Sequence, residues 1–271
     1  MLILLKILGL LLAVYVLIVL AAWLGQRRLM YVPDATPYTP ESLGLTAVAV
    51  RELPTPDGAR LVVWRTAAEP GRPTLLYFHG NAGGLATRAD RIGRYQARGI
   101  GITMMSYRGY SGSTGHPTEA HNIADATLML DTLIAEGIAG KDIVLYGESL
   151  GAAVAVQVAV QRMVGGLVLD APFTSMIDMA TRTYPFLPVR PLLADCYDSI
   201  DHITRVTVPL LVLHGERDGV VPVAMGKAMH AAARSPKEIA IFPDGLHTDL
   251  DEHGAVDVVE RWLVANDLME S

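Results

Sequence analysis

Cysteine is all but missing: Cys196 is the only one among 271 residues, so no intrachain disulfide can form, and no thiol–histidine pair is recognisable near it. Charge is thin as well. Lys and Arg number 22 against 28 Asp and Glu, which gives a formal net charge of −6 and a pI near 5.7. No basic block is long enough to track a phosphate backbone, which argues against a nucleic-acid partner. The glycine-rich stretch His79–Gly84 contains neither Gly-x-Gly-x-x-Gly nor a Gly-Lys-Ser/Thr ending, so dinucleotide and P-loop readings fail. No His-Glu-x-x-His is present, and no internal repeat or low-complexity tract interrupts the chain.

What is abundant is apolar sequence, at 51% of residues, enough for one large core and most simply one domain. A separate apolar run opens the chain. Leu2 to Leu24 is apolar apart from Lys6, and roughly 20 apolar residues as a helix span a bilayer core. Lipid cannot satisfy backbone donors and acceptors, so a helix is required there; Lys6 can snorkel from one end and Trp23 sits where an interfacial aromatic belongs. The expectation is a retained single-pass anchor over residues 1–28, followed by a linker over 29–45. A cleaved signal peptide is the competing reading, with Ala21 and Ala22 as small residues near a cleavage point, but the run is longer than a signal core of roughly 7 to 15 residues. Lys6 and the amino terminus nearly balance Arg27 and Arg28, so the positive-inside rule sets no orientation.

Residues 46–271 are expected to form an α/β domain. Thr46 to Leu53 and Arg60 to Thr66, with Pro54, Asp57 and Gly58 between them, predict an antiparallel hairpin. Short apolar runs then alternate with longer amphipathic ones, the pattern of a mostly parallel sheet with helices on both faces. The predicted strands are Thr74 to Phe78, Gly101 to Ser106, Ile143 to Tyr146, Gly166 to Leu169, Leu210 to Leu213 and Ile239 to Ile241. Helices fit at Arg88 to Ala97, Thr118 to Ala135, Leu150 to Met163, Val223 to Ala233 and Ala255 to Ala265. The proline-spotted segment 172–207 is too long for a plain connection. Its cluster of Phe186, Leu187, Val189, Leu192 and Leu193 predicts a small cap over the carboxyl ends of the strands, against an irregular packing excursion.

The strongest local signal is Gly147-Glu148-Ser149-Leu150-Gly151, between an apolar strand and an Ala/Val-rich helix. This is the nucleophile-elbow pattern: a sharp turn strains the serine backbone, and flanking glycines let neighbouring chains approach. A serine hydroxyl is a weak nucleophile, so the pattern demands a histidine base and a carboxylate that fixes its tautomer. Asp218, after the strand Leu210 to Leu213, and His247, in Gly245-Leu246-His247, supply them in the order Ser, Asp, His. Asp170 competes for the acid role because it ends a strand, and Glu216 is a weaker rival. His247, Asp249, Asp251 and His253 also invite a metal reading, but acidic residues at a helix start already serve as caps. An oxyanion would take the backbone N–H of Leu150 and that of Asn81, with Ala82 as the neighbouring alternative. The bland reading of His79–Gly84 is a tight strand–helix turn.

His79-Gly80-Asn81-Ala82-Gly83, Tyr107-Arg108-Gly109-Tyr110-Ser111-Gly112, Gly147-Glu148-Ser149-Leu150-Gly151, Gly215-Glu216-Arg217-Asp218 and Gly245-Leu246-His247 together resemble the α/β-hydrolase family over nearly all of Leu45 to Leu268. Its membrane-anchored, small-capped members are the nearest likeness. The resemblance implies an α/β-hydrolase fold and hydrolysis of acyl esters or thioesters, lipid-like ones included, without metal or organic cofactor. One departure is Asp170-Ala171-Pro172-Phe173, where related sequences often carry glutamate, which keeps Asp170 in contention. Tyr107 to Gly112 is expected as a turn that walls the pocket. The expected partners are a small-molecule or lipid-like acyl ester and, through the N-terminal helix, a membrane; nothing in the sequence sets an oligomeric state. A peptidase on the same fold and a catalytically silent membrane-tethered binding module remain the alternatives.

Overall fold

A computed structural model describes residues 1–270. The chain begins with a long helix, α1 (Leu2–Met30), whose most apolar window has a mean hydropathy of 2.9 and is wholly unburied. By length and composition it can cross a membrane. The expected linker that follows is tied to the body, where Val32–Pro33 pairs in parallel with Ala82–Gly83.

The body is built on an eight-stranded sheet. Its strands in chain order are β1 (Ala49–Pro54), β2 (Arg60–Thr66), β3 (Thr74–Phe78), β4 (Gly101–Met105), β5 (Ile143–Glu148), β6 (Gly166–Asp170), β7 (Leu210–Gly215) and β8 (Lys237–Phe242). They lie in the order β8-β7-β6-β5-β3-β4-β2-β1. The β1–β2 hairpin is antiparallel and β2 pairs antiparallel with β4, whereas every pairing from β4 to β8 is parallel. Parallel strands covered on both faces are apolar throughout, because alternate side chains enter two different cores. Leu76 and Phe78 of β3 join Leu145 and Val212 on one face, while Leu75 and Tyr77 join Tyr146 and Leu213 on the other.

Helices α3 (Glu119–Ala135), α4 (Leu150–Gln161) and α8 (Val223–Ala232) cover the first face, and α2 (Ala89–Gln96) and α9 (Ala255–Ala265) the second. Thr118 starts α3 by accepting a bond from the His121 amide at 3.0 Å, satisfying one of the donors a helix start leaves free. Helix α4 is Ala- and Val-rich and almost wholly buried, which lets it lie close to the sheet. The chain leaves β3 toward β4 on one side and returns as β5 on the other. Such a reversal leaves a crevice at the carboxyl ends of the strands, where ligands bind in open α/β sheets.

Between β6 and β7 come α5 (Met176–Thr183), α6 (Val189–Leu192) and α7 (Ser199–Ile203). Helix α7 packs against α4 and α8, with Ser199 and Ile203 buried. The part lying over the crevice is therefore Phe173 to Leu193, narrower than the 172–207 span expected from proline content.

Arg108 holds the hairpin turn to the body. Its guanidinium grips the buried Asp125 of α3 at 2.8 and 2.9 Å and also reaches Asp57 of the β1–β2 turn at 2.5 and 2.9 Å. Removing it strands a buried carboxylate, which costs about 3–5 kcal/mol. Arg108→Ala should lower stability by that amount in urea unfolding followed by far-UV circular dichroism, while Asp57→Asn, at the more exposed end, should cost much less.

Candidate active site

Strand β5 ends in Gly147-Glu148, and α4 starts one residue later, leaving Ser149 to make the whole turn at φ 52° and ψ −110°. A non-glycine residue there stores on the order of 1–3 kcal/mol of strain. The flanking glycines are required by contact. A Cβ on Gly147 would lie 2.3 Å from the Gly151 carbonyl oxygen, and one on Gly151 would lie 1.9 Å from that of Phe78. The Ser149 amide donates to the Asp170 carbonyl at 2.8 Å, tying the turn to the end of β6.

Two further loops converge on this serine. Gly215, at the end of β7, lets the backbone of Gly245 and Leu246 approach; a Cβ there would meet their carbonyl oxygens at 2.3 and 2.4 Å. The loop carrying Asp218 thus lies against the loop carrying His247. Ser149 Oγ is 3.1 Å from His247 Nε2, and His247 Nδ1 is 2.7 Å from Asp218 Oδ2. The other oxygen of Asp218 accepts the amides of Val220 and Val221, both at 2.8 Å. His214 Nε2, which bonds the Val221 carbonyl, lies 3.4 Å from Asp218 Oδ2.

Burial alone would raise the Asp218 carboxyl, but the two histidines and the Val221 amide outweigh it and hold the group well below the usual carboxylate range. Burial would likewise favour neutral His247, yet the Asp218 carboxylate overcomes it and raises the imidazole above 6.5. A histidine held by an anionic acid and meeting a serine hydroxyl can take that hydroxyl's proton as the oxygen attacks.

Asp170 is placed elsewhere. Its carboxylate accepts the Tyr146 hydroxyl at 3.0 Å and pairs with Arg91 at 3.0 Å, beneath the elbow. Burial pushes its carboxyl up to about 6 against the pull of Arg91. Glu216 faces Lys227 on the surface at 3.4 Å, and His253 faces Asp249 at 3.6 Å. Among the described residues, no group of three or more His, Cys, Asp or Glu side chains is arranged to hold a metal ion.

Asn81 and Leu150 line the same cavity of about 780 Å³ as Ser149 and His247. Among the described residues, neither of their amides is spent on a protein acceptor. The expectation that Tyr107 to Gly112 walls the pocket is corrected by the structure: none of these residues lines the cavity. They prop it from behind, where Tyr110 donates its hydroxyl to the Asn81 carbonyl at 2.8 Å and packs its ring at a tilt against the buried His79. Physically, the aromatic pair prefers the packed interior. Of the expected cap cluster, Leu187, Val189, Leu192 and Leu193 line the cavity, but Phe186 is 60% exposed and does not.

Sequence reasoning missed two features. Arg88 and Arg91 reach the carboxylate of Glu148 beneath Ser149, at 3.1 and 3.5 Å. Trp23, Gln26 and Met30 of α1 line the cavity. Gln26, a polar residue just past the apolar run, was the only signal for the latter.

Gly151→Ala should cost roughly 3 kcal/mol or more, or abolish folding, because a backbone carbonyl cannot move aside as a side chain can. Thermal unfolding should show this, with Gly219→Ala, which has open space around it, as the unaffected control. Tyr110→Phe should leave folding nearly intact and lower kcat more than it raises KM, since it loosens only the loop carrying Asn81.

Comparisons with known proteins add a second line of evidence. A family model described as the alpha/beta hydrolase family matches residues 70–202, and one described as serine aminopeptidase, S33, matches residues 189–254. An uncharacterized protein of Mycobacterium tuberculosis is 38% identical over 91% of this chain and 90% of its own length. The alpha/beta hydrolase domain-containing protein WAV2 of Arabidopsis thaliana is 33% identical over 83% of this chain and 82% of its own. Among solved structures, a Pyrococcus furiosus esterase superposes with a TM-score of 0.70 at 19% identity, covering 87% of this chain and 98% of that one. This likeness concerns the fold. With its sheet order, its strained serine turn and these relatives, the chain belongs to the α/β-hydrolase family.

Proposed function

We propose that this protein is a membrane-anchored serine hydrolase that cleaves carboxylic esters or thioesters of acyl, lipid-like substrates through an acyl-enzyme. Ser149 is the nucleophile, His247 the general base, and Asp218 the acid that orients it. The single observation carrying this reading is the unbroken hydrogen-bonded line from Asp218 through His247 to Ser149, at 2.7 and 3.1 Å.

In the first half-reaction Ser149 Oγ adds to the substrate carbonyl carbon while His247 Nε2 takes the hydroxyl proton. The negative charge moves to the carbonyl oxygen, where the Asn81 and Leu150 amides receive it. Collapse re-forms the carbonyl and breaks the ester bond; His247 returns its proton to the leaving alcohol or thiol. Water then attacks the acyl-serine, losing a proton to His247; collapse breaks the acyl–Oγ bond, His247 returns that proton to Ser149 Oγ, and the acid leaves. Each proton and bond is accounted for by groups of this chain and water.

The anchor reading of α1 is favoured over a signal peptide by Tyr15, whose hydroxyl bonds the Phe186 carbonyl of the cap at 2.9 Å, a contact that cleavage near Ala22 would remove. Intact-mass measurement of protein from the membrane fraction should find residues 1–28 retained. The aminopeptidase description of the match over residues 189–254 favours one alternative, the aminoacyl substrate. Parallel assays with acyl esters and aminoacyl amides separate the two, and the acyl esters are expected to turn over faster.

A fluorophosphonate probe should label the folded protein at Ser149 and fail on Ser149→Ala, whose esterase rate should fall about 10⁶-fold. An unlabelled wild type would instead mean a silent binding module. Asp218→Asn should lose about 10⁴-fold in kcat by stabilising the wrong histidine tautomer, and Asp170→Asn far less. The opposite ranking would transfer the acid role to Asp170. Because only neutral His247 can accept a proton, kcat/KM should fall as pH drops through the histidine's raised pKa, with a midpoint above 6.5.

A further inference from the structure

Helix α1 does more than precede the domain. Its contacts with the cap run from Tyr15, which donates its hydroxyl to the Phe186 carbonyl at 2.9 Å, to Gln26, which donates to the Leu192 carbonyl at 3.2 Å and accepts the Ala194 amide at 2.7 Å. Arg27 pairs with Asp195 at 3.0 Å just beyond. Cap and helix therefore lie side by side over several turns. If Leu24 marks the edge of the hydrocarbon, Tyr15 lies about 14 Å of helix deeper, roughly half the ~30 Å core. Phe186 is at the level of Tyr15.

The cap tip has the composition such a position demands. Between Arg182 and Arg190 the sequence Thr-Tyr-Pro-Phe-Leu-Pro-Val carries no charge, and both arginines are exposed, able to reach headgroups from either end of the tip. Pro185 and Pro188 have no N–H to leave unpaired. The Leu187 and Val189 amides bond to Tyr184 and Leu187 carbonyls at 3.0 and 2.9 Å, and the Phe186 carbonyl takes the Tyr15 hydroxyl. Phe186 projects outward at 60% exposure, costly in water and favourable in lipid.

The cavity runs between these two elements. Ala22, Trp23 and Leu29 on the helix face Thr183, Tyr184 and Leu187 on the cap, and the space continues past Met176 and Met179 to Ser149 and His247. We infer that this cavity opens sideways into one membrane leaflet, with the cap tip immersed in hydrocarbon and α1 as one wall. Its substrate is then an ester with a long lipid chain, drawn from the bilayer and not from water. The inference rests on the anchored serine hydrolase proposed above and names its substrate class and route of entry.

The test uses full-length protein in phosphatidylcholine vesicles with two esters, 4-methylumbelliferyl butyrate added in water and 4-methylumbelliferyl palmitate dissolved in the vesicles. Phe186→Asp places a charge where the tip should meet lipid. It should lower palmitate hydrolysis about tenfold or more while butyrate hydrolysis is kept, since Phe186 does not line the cavity. Independently of activity, Phe186→Trp should add fluorescence that dibrominated phosphatidylcholine quenches beyond the wild-type level. Equal effects on both esters, or no added quenching, would overturn lateral entry and leave the serine hydrolase standing. Retention of butyrate hydrolysis in Ser149→Ala would instead overturn the hydrolase reading itself.

Discussion

Helix α4 meets the end of β3 with no side chain between them: a Cβ on Gly151 would come 1.9 Å from the Phe78 carbonyl and 2.9 Å from that of His79. The same approach fixes two parts of the site at once. It sets the first turn of α4 against the sheet, so the chain leaving β5 has one residue, Ser149, in which to reverse. It also places the start of the loop holding Asn81 beside that turn. Ser149 and the start of the Asn81 loop share one backbone contact, and their separation cannot drift without breaking it. A strained serine persists because neighbours over-determine it, and here the neighbours are main-chain atoms, the least adaptable part of the core.

Below this contact lies a set of buried charges. Arg91 bonds Asp170 at 3.0 Å, Asp251 at 2.5 Å and the Tyr77 hydroxyl at 2.5 Å, and its guanidinium sits over the rings of Tyr77 and Tyr146. Burial would raise the Glu148 carboxyl, but Arg88 and Arg91 outweigh it and keep the group ionised. Buried ion pairs repay little of their desolvation cost, so net stability is a poor reason for this one. Its members do connect three separate loops: Glu148 precedes Ser149, Asp170 ends β6 and accepts the Ser149 amide on its carbonyl, and Asp251 follows His247. Charge pairs with directional bonds fix relative position where apolar contacts would tolerate sliding.

The parallel strands were legible because burial on both faces leaves runs of apolar residues, and β3 has the bounds its composition predicts. Strands β5 and β7 extend past their apolar runs into Glu148 and Gly215, since backbone pairing continues after side-chain hydrophobicity stops. At the edge of the sheet, β8 starts at Lys237 rather than Ile239, because one open side admits polar residues. Ser149, Asp218 and His247 could be nominated because a serine nucleophile dictates its partners, and the structure brings the three together. Contacts between distant polar residues leave no periodic trace. Tyr110 under Asn81, Arg91 under the elbow and Gln26 against the cap all belong to that class.

Asp195 shows why α1 is held as a wall and not as a loose tether. Its side chain is only 5% exposed, and a carboxylate so placed needs donors to offset lost hydration. Arg27 supplies two, at 3.0 and 3.3 Å, and the Tyr31 hydroxyl a third at 3.1 Å. Tyr31 in turn meets Tyr197, whose hydroxyl accepts from Asn122 of α3, so the chain of bonds runs from the end of α1 into the first-face core. Swinging the helix away would strip Asp195 of both Arg27 donors, a penalty that a flexible leash would not carry. The direction of α1 is therefore set by the body of the domain.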